Sequence, residues 1–213
     1  MKRISSHLSL LQVLIHLGVW LTLSLLVWDY FNGHLSVNPI QGLEQRSGRI
    51  ALTILMLSLA CTPVFILTGW QEVLKRRRTL GLYAFMAAAF HLSIFLVLDY
   101  GLNWNLILEA VVGKRFIIVG AVAFSILLAL ALTSFRPSKV WLGRNWKRLH
   151  RLVYVAGILV IVHYGWARKG NLLRLQGDIL KPLLYGMTLF ILLILRLRPI
   201  RKYFQTHKFI RKS

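Results

Sequence analysis

Residues 79–100 read TLGLYAFMAAAFHLSIFLVLDY, and this stretch decides the fold class. It is long enough to cross a hydrocarbon core of about 30 Å, which takes roughly 20 helical residues. It carries no charged side chain before Asp99, and it places one histidine, His91, past its middle. Backbone polar groups inside a bilayer must bond within their own segment, so the stretch predicts a transmembrane helix.

Five further apolar runs repeat this pattern along the chain. Of the 213 residues, 57% are hydrophobic and 15% charged, whereas soluble domains have about 25% charged residues. The sequence therefore predicts an all-α fold: one domain, 1–213, that forms an integral membrane bundle of six transmembrane helices. The predicted spans are 8–29, 50–70, 79–100, 116–135, 151–167 and 181–196.

The net charge of +21 reflects 27 Lys and Arg residues against six acidic ones, and the cations lie mostly between the apolar runs. A basic protein of this kind is expected to contact anionic membrane lipid and to set its topology by these charges, and we expect no nucleic-acid binding. Most of the cations fall in 75–78, 136–151 and 196–213, in loops on the same side as the N-terminus. The positive-inside rule then places both termini in the cytoplasm, with 197–213 as a basic tail.

Two histidines lie at matched depth in two helices that are predicted to run in the same direction. His91 follows Arg78 by 13 residues, and His163 follows Arg151 by 12. At 1.5 Å per residue, both imidazoles lie about 18–20 Å from the same edge. Neutral imidazoles that meet across a bundle core are what a six-coordinate b-type haem requires.

Depth alone leaves a plainer interpretation open, because a lone intramembrane histidine often bonds one helix to another. We expect that structural role for His16 in the first span. His150 lies about 20 Å below His163, near the basic side, and Arg77 lies at the same level on the face of His91.

Four segments resemble the MsrQ (YedZ) family, the haem-binding membrane subunits of bacterial protein-methionine-sulfoxide reductase systems. That family is itself similar to the membrane domain of ferric reductases and NADPH oxidases. The resemblance covers nearly the whole chain, and the pattern at 142–154 is the most specific. The segments are SGRIAL at 47–52, RRRTLGLYAFMAAAFHLSIFLVLD at 76–99, LGRNWKRLHRLVY at 142–154 and HYGWARK at 163–169.

The resemblance implies that His91, His150 and His163 ligate iron in one haem b or two. It also implies a multi-pass protein of the bacterial inner membrane that takes electrons from the quinone pool or a cytoplasmic flavin reductase. The implied acceptor is MsrP, a periplasmic molybdopterin enzyme that reduces methionine sulfoxide and so repairs oxidised proteins. Members of the family are also described as binding FMN, although no motif marks a flavin site here. The chain would then be an electron-transfer subunit rather than the catalytic one.

Two features depart from the oxidase pattern. Arg77 stands where those relatives carry an inner histidine, and a guanidinium has no lone pair to offer iron. Arg77 is therefore expected to bind a cofactor through a haem propionate or a flavin phosphate. The chain also lacks a glycine-rich dinucleotide motif after a strand, so a separate donor must reduce it.

Two other functions stay open at the level of sequence. One is a stand-alone transmembrane ferric reductase that delivers electrons to external iron. The other, from a different class, is a non-redox transporter or assembly factor with structural histidines. The lack of a charged side chain in the middle of any predicted span counts against an ion carrier.

Overall fold

A computed structural model of the protein describes residues 9–168, 179–197 and 199–200. Lys169 of the HYGWARK segment lies outside the described residues. So does the predicted basic tail, 197–213, apart from positions 197, 199 and 200. Within them the chain forms nine α-helices and a π-helical segment, Ile94–Asp99, that continues the third helix. The α-helices are α1 (Leu10–Phe31), α2 (Pro39–Thr68), α3 (Gln71–Ser93), α4 (Trp104–Gly113), α5 (Arg115–Leu132), α6 (Arg136–Leu142), α7 (Arg144–His150), α8 (Leu152–Ala167) and α9 (Leu180–Ile194).

The predicted class, a helical membrane protein, is confirmed. Among the described residues five helical stretches are long and apolar enough to cross a membrane. The sixth predicted span, 181–196, corresponds to α9, which has only 15 residues, so the count of six spans stays a prediction. The five stretches are Leu10–Phe31, Pro39–Thr68, Gln71–Asp99, Arg115–Leu132 and Arg144–Ala167.

Local capping explains where the helices depart from the predicted boundaries. α2 begins well before residue 50 because the Asn38 side chain accepts a hydrogen bond from the Gln41 amide at 3.1 Å. Pro39 occupies the first helical turn, where its missing N–H costs nothing. α4 was not predicted, and Asn103 caps it in the same way by accepting from the amides of Asn105 and Leu106.

The contacts between helices place α3 and α8 on opposite sides of the bundle, with α2 and α5 between them. α2 and α5 each pack against both α3 and α8, and α2 is the most buried of the long helices. We call the end of the bundle that holds 70–78 and 136–151 the basic end, and the other the opposite end. Large apolar side chains cover the outside, as lipid contact requires. Those on α1 include Leu10, Leu14, Leu17 and Leu21.

A proline inside α2 explains an unexpected position of Arg196. Pro63 has no N–H to donate to the carbonyl of Leu59 one turn earlier. That carbonyl instead accepts from the Arg196 guanidinium, which also donates to the Tyr154 hydroxyl at 2.5 Å. The arginine that follows α9 thus ties α9 to α2 and α8.

Candidate functional site

The structure brings His91 on α3 and His163 on α8 together in one layer of the bundle. Their ring centres lie 6.3 Å apart, and the ring planes are inclined at 76°. Both rings are half-buried. The layer lies nearer the opposite end, because His163 precedes the last residue of α8 by four positions, about 6 Å of helix.

The hydrogen bond of His163 fixes which of its nitrogens carries the proton. Nδ1 lies 2.7 Å from the carbonyl oxygen of Phe116, the second residue of α5. A carbonyl oxygen only accepts, so Nδ1 must be the protonated donor in the neutral ring. Nε2 then carries the lone pair, which is the form of imidazole that binds a metal.

Gly120 allows this contact to form. It lies one helical turn after Phe116, so a side chain there would stand over the carbonyl that His163 reaches. A Cβ placed on Gly120 would lie 2.7 Å from Nδ1 and 2.8 Å from Cε1 of His163. The ring therefore occupies the space that any other residue at position 120 would fill.

His91 is held by a serine hydroxyl, and the carbonyl of Glu44 also interacts with its ring. Its Nδ1 lies 3.1 Å from Oγ of Ser47 on α2. The hydroxyl proton of Ser47 is donated to the carbonyl oxygen of Glu44 at 3.0 Å. The serine oxygen can then only accept from His91, which makes Nδ1 the protonated nitrogen and puts the lone pair on Nε2.

The arrangement around His163 is repeated at His91 with different residues. Gly48 lies one turn after Glu44, and a Cβ on it would lie 3.2 Å from Cε1 of His91. Each imidazole thus packs on a glycine of the helix that holds it, α2 in one case and α5 in the other. Each is anchored to a backbone carbonyl four residues before that glycine, directly at Phe116 and through Ser47 at Glu44.

The site fits an iron porphyrin better than a bare metal ion. Metal–imidazole bonds are about 2 Å long, and ring bonds of about 1.33 Å place each nitrogen about 1.1 Å from its ring centre. One ion bonded to both imidazoles would place the ring centres about 6 Å apart. The ring centres of His91 and His163 are 6.3 Å apart. Two imidazoles alone leave a bare ion short of ligands, whereas a porphyrin supplies the others. Among the described residues, no group of three or more His, Cys, Asp or Glu could hold an ion.

Near the basic end, His150 has different surroundings. Its ring stacks on Trp146 with centres 4.0 Å apart, and its Nε2 lies 3.2 Å from the Thr133 hydroxyl. That hydroxyl donates to the carbonyl of Ala129, so Nε2 of His150 is the donor here. Arg77 lies within electrostatic range of His150, and the structure brings no second histidine against it in the described part of the chain.

Comparison with known proteins agrees with this geometry. Residues 47–161 match the family described as ferric reductase like transmembrane component. A relative from Xanthomonas axonopodis pv. citri is 36% identical over 199 residues, which cover 91% of this chain and 88% of the relative. Its name is protein-methionine-sulfoxide reductase heme-binding subunit MsrQ. The chain belongs to the MsrQ family. A relative of the same name from Cronobacter sakazakii is 33% identical and covers 97% of this chain and 100% of its own length.

His16, the other intramembrane histidine, lies apart from this pair. Its Nδ1 lies 2.5 Å from the hydroxyl of Tyr83, so it links α1 to α3. This is the helix–helix hydrogen bond expected from the sequence. In this MsrQ-family chain the described histidines within the helices therefore comprise one facing pair, one histidine within electrostatic range of Arg77 and one that bonds two helices together.

Sequence reasoning missed the residues that hold the facing pair. Ser47, Gly48, Phe116 and Gly120 lie outside the two histidine helices, and Phe116 acts only through its backbone. The sequence contains SGRIAL as a family motif, but it does not show that the serine and glycine of this motif contact His91, because that contact depends on how α2 packs against α3. A further local signal is the π-helical segment, which begins three residues after His91, since such segments are frequent at functional sites.

Proposed function

We propose that the chain is a membrane electron-transfer subunit that binds a b-type haem between His91 and His163. The observation that carries the proposal is the pair of imidazoles whose ring centres lie 6.3 Å apart. The Nδ1 atom of each ring is hydrogen-bonded to a residue of a neighbouring helix. The names of the relatives, heme-binding subunits of protein-methionine-sulfoxide reductase, support the same cofactor. When bound, haem supplies a one-electron iron couple.

The residues around the pair suit electron transfer rather than oxygen chemistry. His91 and His163 would together hold a haem iron through their imidazoles, and a haem held by two histidines would supply electron transfer rather than oxygen chemistry. Phe116 and Ser47 hold the rings through Nδ1, so their Nε2 atoms keep a fixed direction. Methionine-sulfoxide reduction is then the work of a separate catalytic subunit.

The direction of transfer follows from the depth of the site and the placement of charge. The facing histidines lie toward the opposite end of the bundle, away from the basic loops. The positive-inside rule makes the basic end cytoplasmic, along with both termini, so the pair lies toward the periplasm of a bacterial inner membrane. For the identities of the partners we rely on the resemblance to the MsrQ family, which implies the quinone pool or a cytoplasmic flavin reductase as donor and a periplasmic molybdopterin reductase, MsrP, as acceptor.

Proteoliposomes test this proposal directly. Purified protein is inserted into vesicles that enclose ferricyanide, an impermeant oxidant, and dithionite is added outside. Wild-type protein and His34→Ala, a loop variant, are expected to bleach the trapped ferricyanide. His163→Ala should bleach it no faster than protein-free vesicles do. Equal rates for His163→Ala and wild type would contradict the proposal.

A second experiment on the purified protein distinguishes the proposed acceptor from the alternative, a stand-alone ferric reductase, that the ferric-reductase-like match raises. Protein reduced with dithionite, freed of excess reductant, is mixed with a purified periplasmic methionine-sulfoxide reductase or with a ferric chelate. Oxidation by the reductase alone supports the proposed acceptor. Oxidation by the chelate alone supports a stand-alone ferric reductase.

We further propose that Arg77 and His150 bind the anionic part of a second cofactor, FMN or another haem. The Arg77 guanidinium forms no ion pair with a described carboxylate, and it lies within electrostatic range of His150 and of the half-buried Arg196. Uncompensated cations near the basic end favour a phosphate or propionate, which a guanidinium binds through two parallel hydrogen bonds.

Arg77→Gln is expected to weaken binding of FMN or of a second haem about tenfold or more, since hydrogen bonds to charged groups contribute about 1.5–3 kcal/mol. Binding is measured by titrating the purified protein with FMN and by counting haem per chain. Arg78→Gln is the matched control, because that neighbour is exposed and lies over the Phe135 ring. Equal binding by the two variants would rule out the second site.

A further inference from the structure

Ser47 is unusual among the described residues because it is a polar side chain buried in an apolar helix core. It is 1% exposed, and Ser58 at 5% is the other buried polar residue of the described chain. A buried hydroxyl is normally bonded at both its proton and its oxygen. For Ser47 the proton goes to the Glu44 carbonyl, and the oxygen faces Nδ1 of His91.

The two facing imidazoles therefore meet unequal acceptors. The His163 Nδ1 lies 2.7 Å from a carbonyl oxygen, whereas the His91 Nδ1 lies 3.1 Å from a hydroxyl oxygen. An acceptor at Nδ1 adds negative charge to the ring and makes Nε2 a stronger donor to a metal. The carbonyl at Phe116 belongs to the backbone, so no substitution removes it. The hydroxyl at Ser47 is a side chain, and here one substitution changes the bond.

We propose that Ser47 is a positioning residue that holds His91 as the Nδ1–H tautomer and sets how strongly its Nε2 donates to iron. This inference rests on the proposed haem site between His91 and His163. Ser47 is the hydrogen-bond partner of the His91 ring. The next residue, Gly48, leaves room for that ring, since a Cβ there would lie 3.2 Å from Cε1 of His91. Hydrogen bonds to axial ligands are among the means by which a protein tunes haem.

Ser47→Ala tests the inference in the full-length protein. Without the serine hydroxyl, Nδ1 of His91 loses its closest acceptor and keeps only the interaction with the Glu44 carbonyl. Nε2 then donates less charge, the ferric form is less stabilised, and the reduction potential rises. We expect the equilibrium constant for reduction to increase about threefold, which is about 28 mV at 59 mV per tenfold for one electron. Haem per chain is counted first, and the potential is then measured by spectroelectrochemical titration.

Two variants separate the hydrogen bond from general effects of substitution. Ser58→Ala removes the other buried serine of α2, whose hydroxyl donates to the carbonyl of Arg77 and does not touch His91. It should keep the wild-type potential. Ser47→Thr retains a hydroxyl at the same place and should restore the wild-type potential or lie close to it.

The outcomes are distinct. A raised potential in Ser47→Ala alone supports the inference, and so does haem loss in Ser47→Ala that Ser47→Thr reverses. A wild-type potential in haem-loaded Ser47→Ala overturns it. An equal shift in Ser58→Ala, or haem loss in both Ser47 variants, also overturns it, because volume would then matter and not the hydroxyl. Wild-type protein purified without haem would instead overturn the proposed function itself.

Discussion

Purified His163→Ala protein is expected to lose the haem of the facing pair, and His91→Ala should behave in the same way. Each substitution removes one of the two facing imidazoles. The Nδ1 atom of His163 is hydrogen-bonded to α5, and that of His91 to α2. Changes to the partners of a metal-binding histidine alone cost about 10–100-fold in affinity, so removal of the ligand should cost more than that. Haem is counted by pyridine haemochrome absorbance and by the bands of the reduced protein.

His16→Ala is the matched control for this experiment. His16 is also a histidine inside a long apolar helix, but its partner is the hydroxyl of Tyr83. It should bind haem as wild type does. If His91→Ala and His163→Ala kept the wild-type number of haems per chain while remaining monodisperse, the iron would have to be held elsewhere, and the assignment of the pair would fail.

Gly120→Ala is expected to have the second-largest effect, although it changes no ligand. The added Cβ would lie 2.7 Å from Nδ1 of His163, closer than real Cβ atoms approach another heavy atom. The ring cannot retreat while Nδ1 stays bonded to Phe116, so it must lose that bond or turn Nε2 away. We expect haem affinity to fall about 10–100-fold, the range seen when the partner of a ligand is lost.

Two other glycines make this a graded series. Gly48→Ala would place its Cβ 3.2 Å from His91, a milder overlap, and should cost less than Gly120→Ala. Gly18→Ala in α1 meets nothing within 4 Å and should leave haem binding unchanged. Alanine is a better helix former than glycine by about 1 kcal/mol, so lost helix stability cannot explain the expected effect. Equal haem binding in all three variants would contradict the proposed packing of the His91 and His163 rings on Gly48 and Gly120.

The sequence was sufficient for the fold class because the bilayer imposes simple rules. Apolar runs such as 79–100 have to be helices, since no water is present to satisfy their backbone groups. Helix ends were harder to predict, because polar capping decides them. Asn38 and Pro39 start α2 far outside its apolar run, and Asn103 starts α4 within a loop that hydropathy alone did not resolve.

The site was predictable in part, and for a physical reason. Depth along a helix follows from residue counting, so His91 and His163 could be matched from sequence, and their rings lie 6.3 Å apart. What lies beside each ring depends on how helices rotate and pack, which counting does not give. Ser47 and Gly120 come from helices that carry no facing histidine, and the carbonyl of Phe116 leaves no trace in a side chain.

Near-infrared magnetic circular dichroism of the oxidised, purified protein tests the central claim most directly, because it identifies the axial ligand pair of a ferric haem. The account predicts the signature of two neutral imidazoles in the wild type and in His150→Ala, and its loss in His91→Ala and in His163→Ala. A different ligand pair in the wild type, or an unchanged spectrum in either of those two variants, would contradict it.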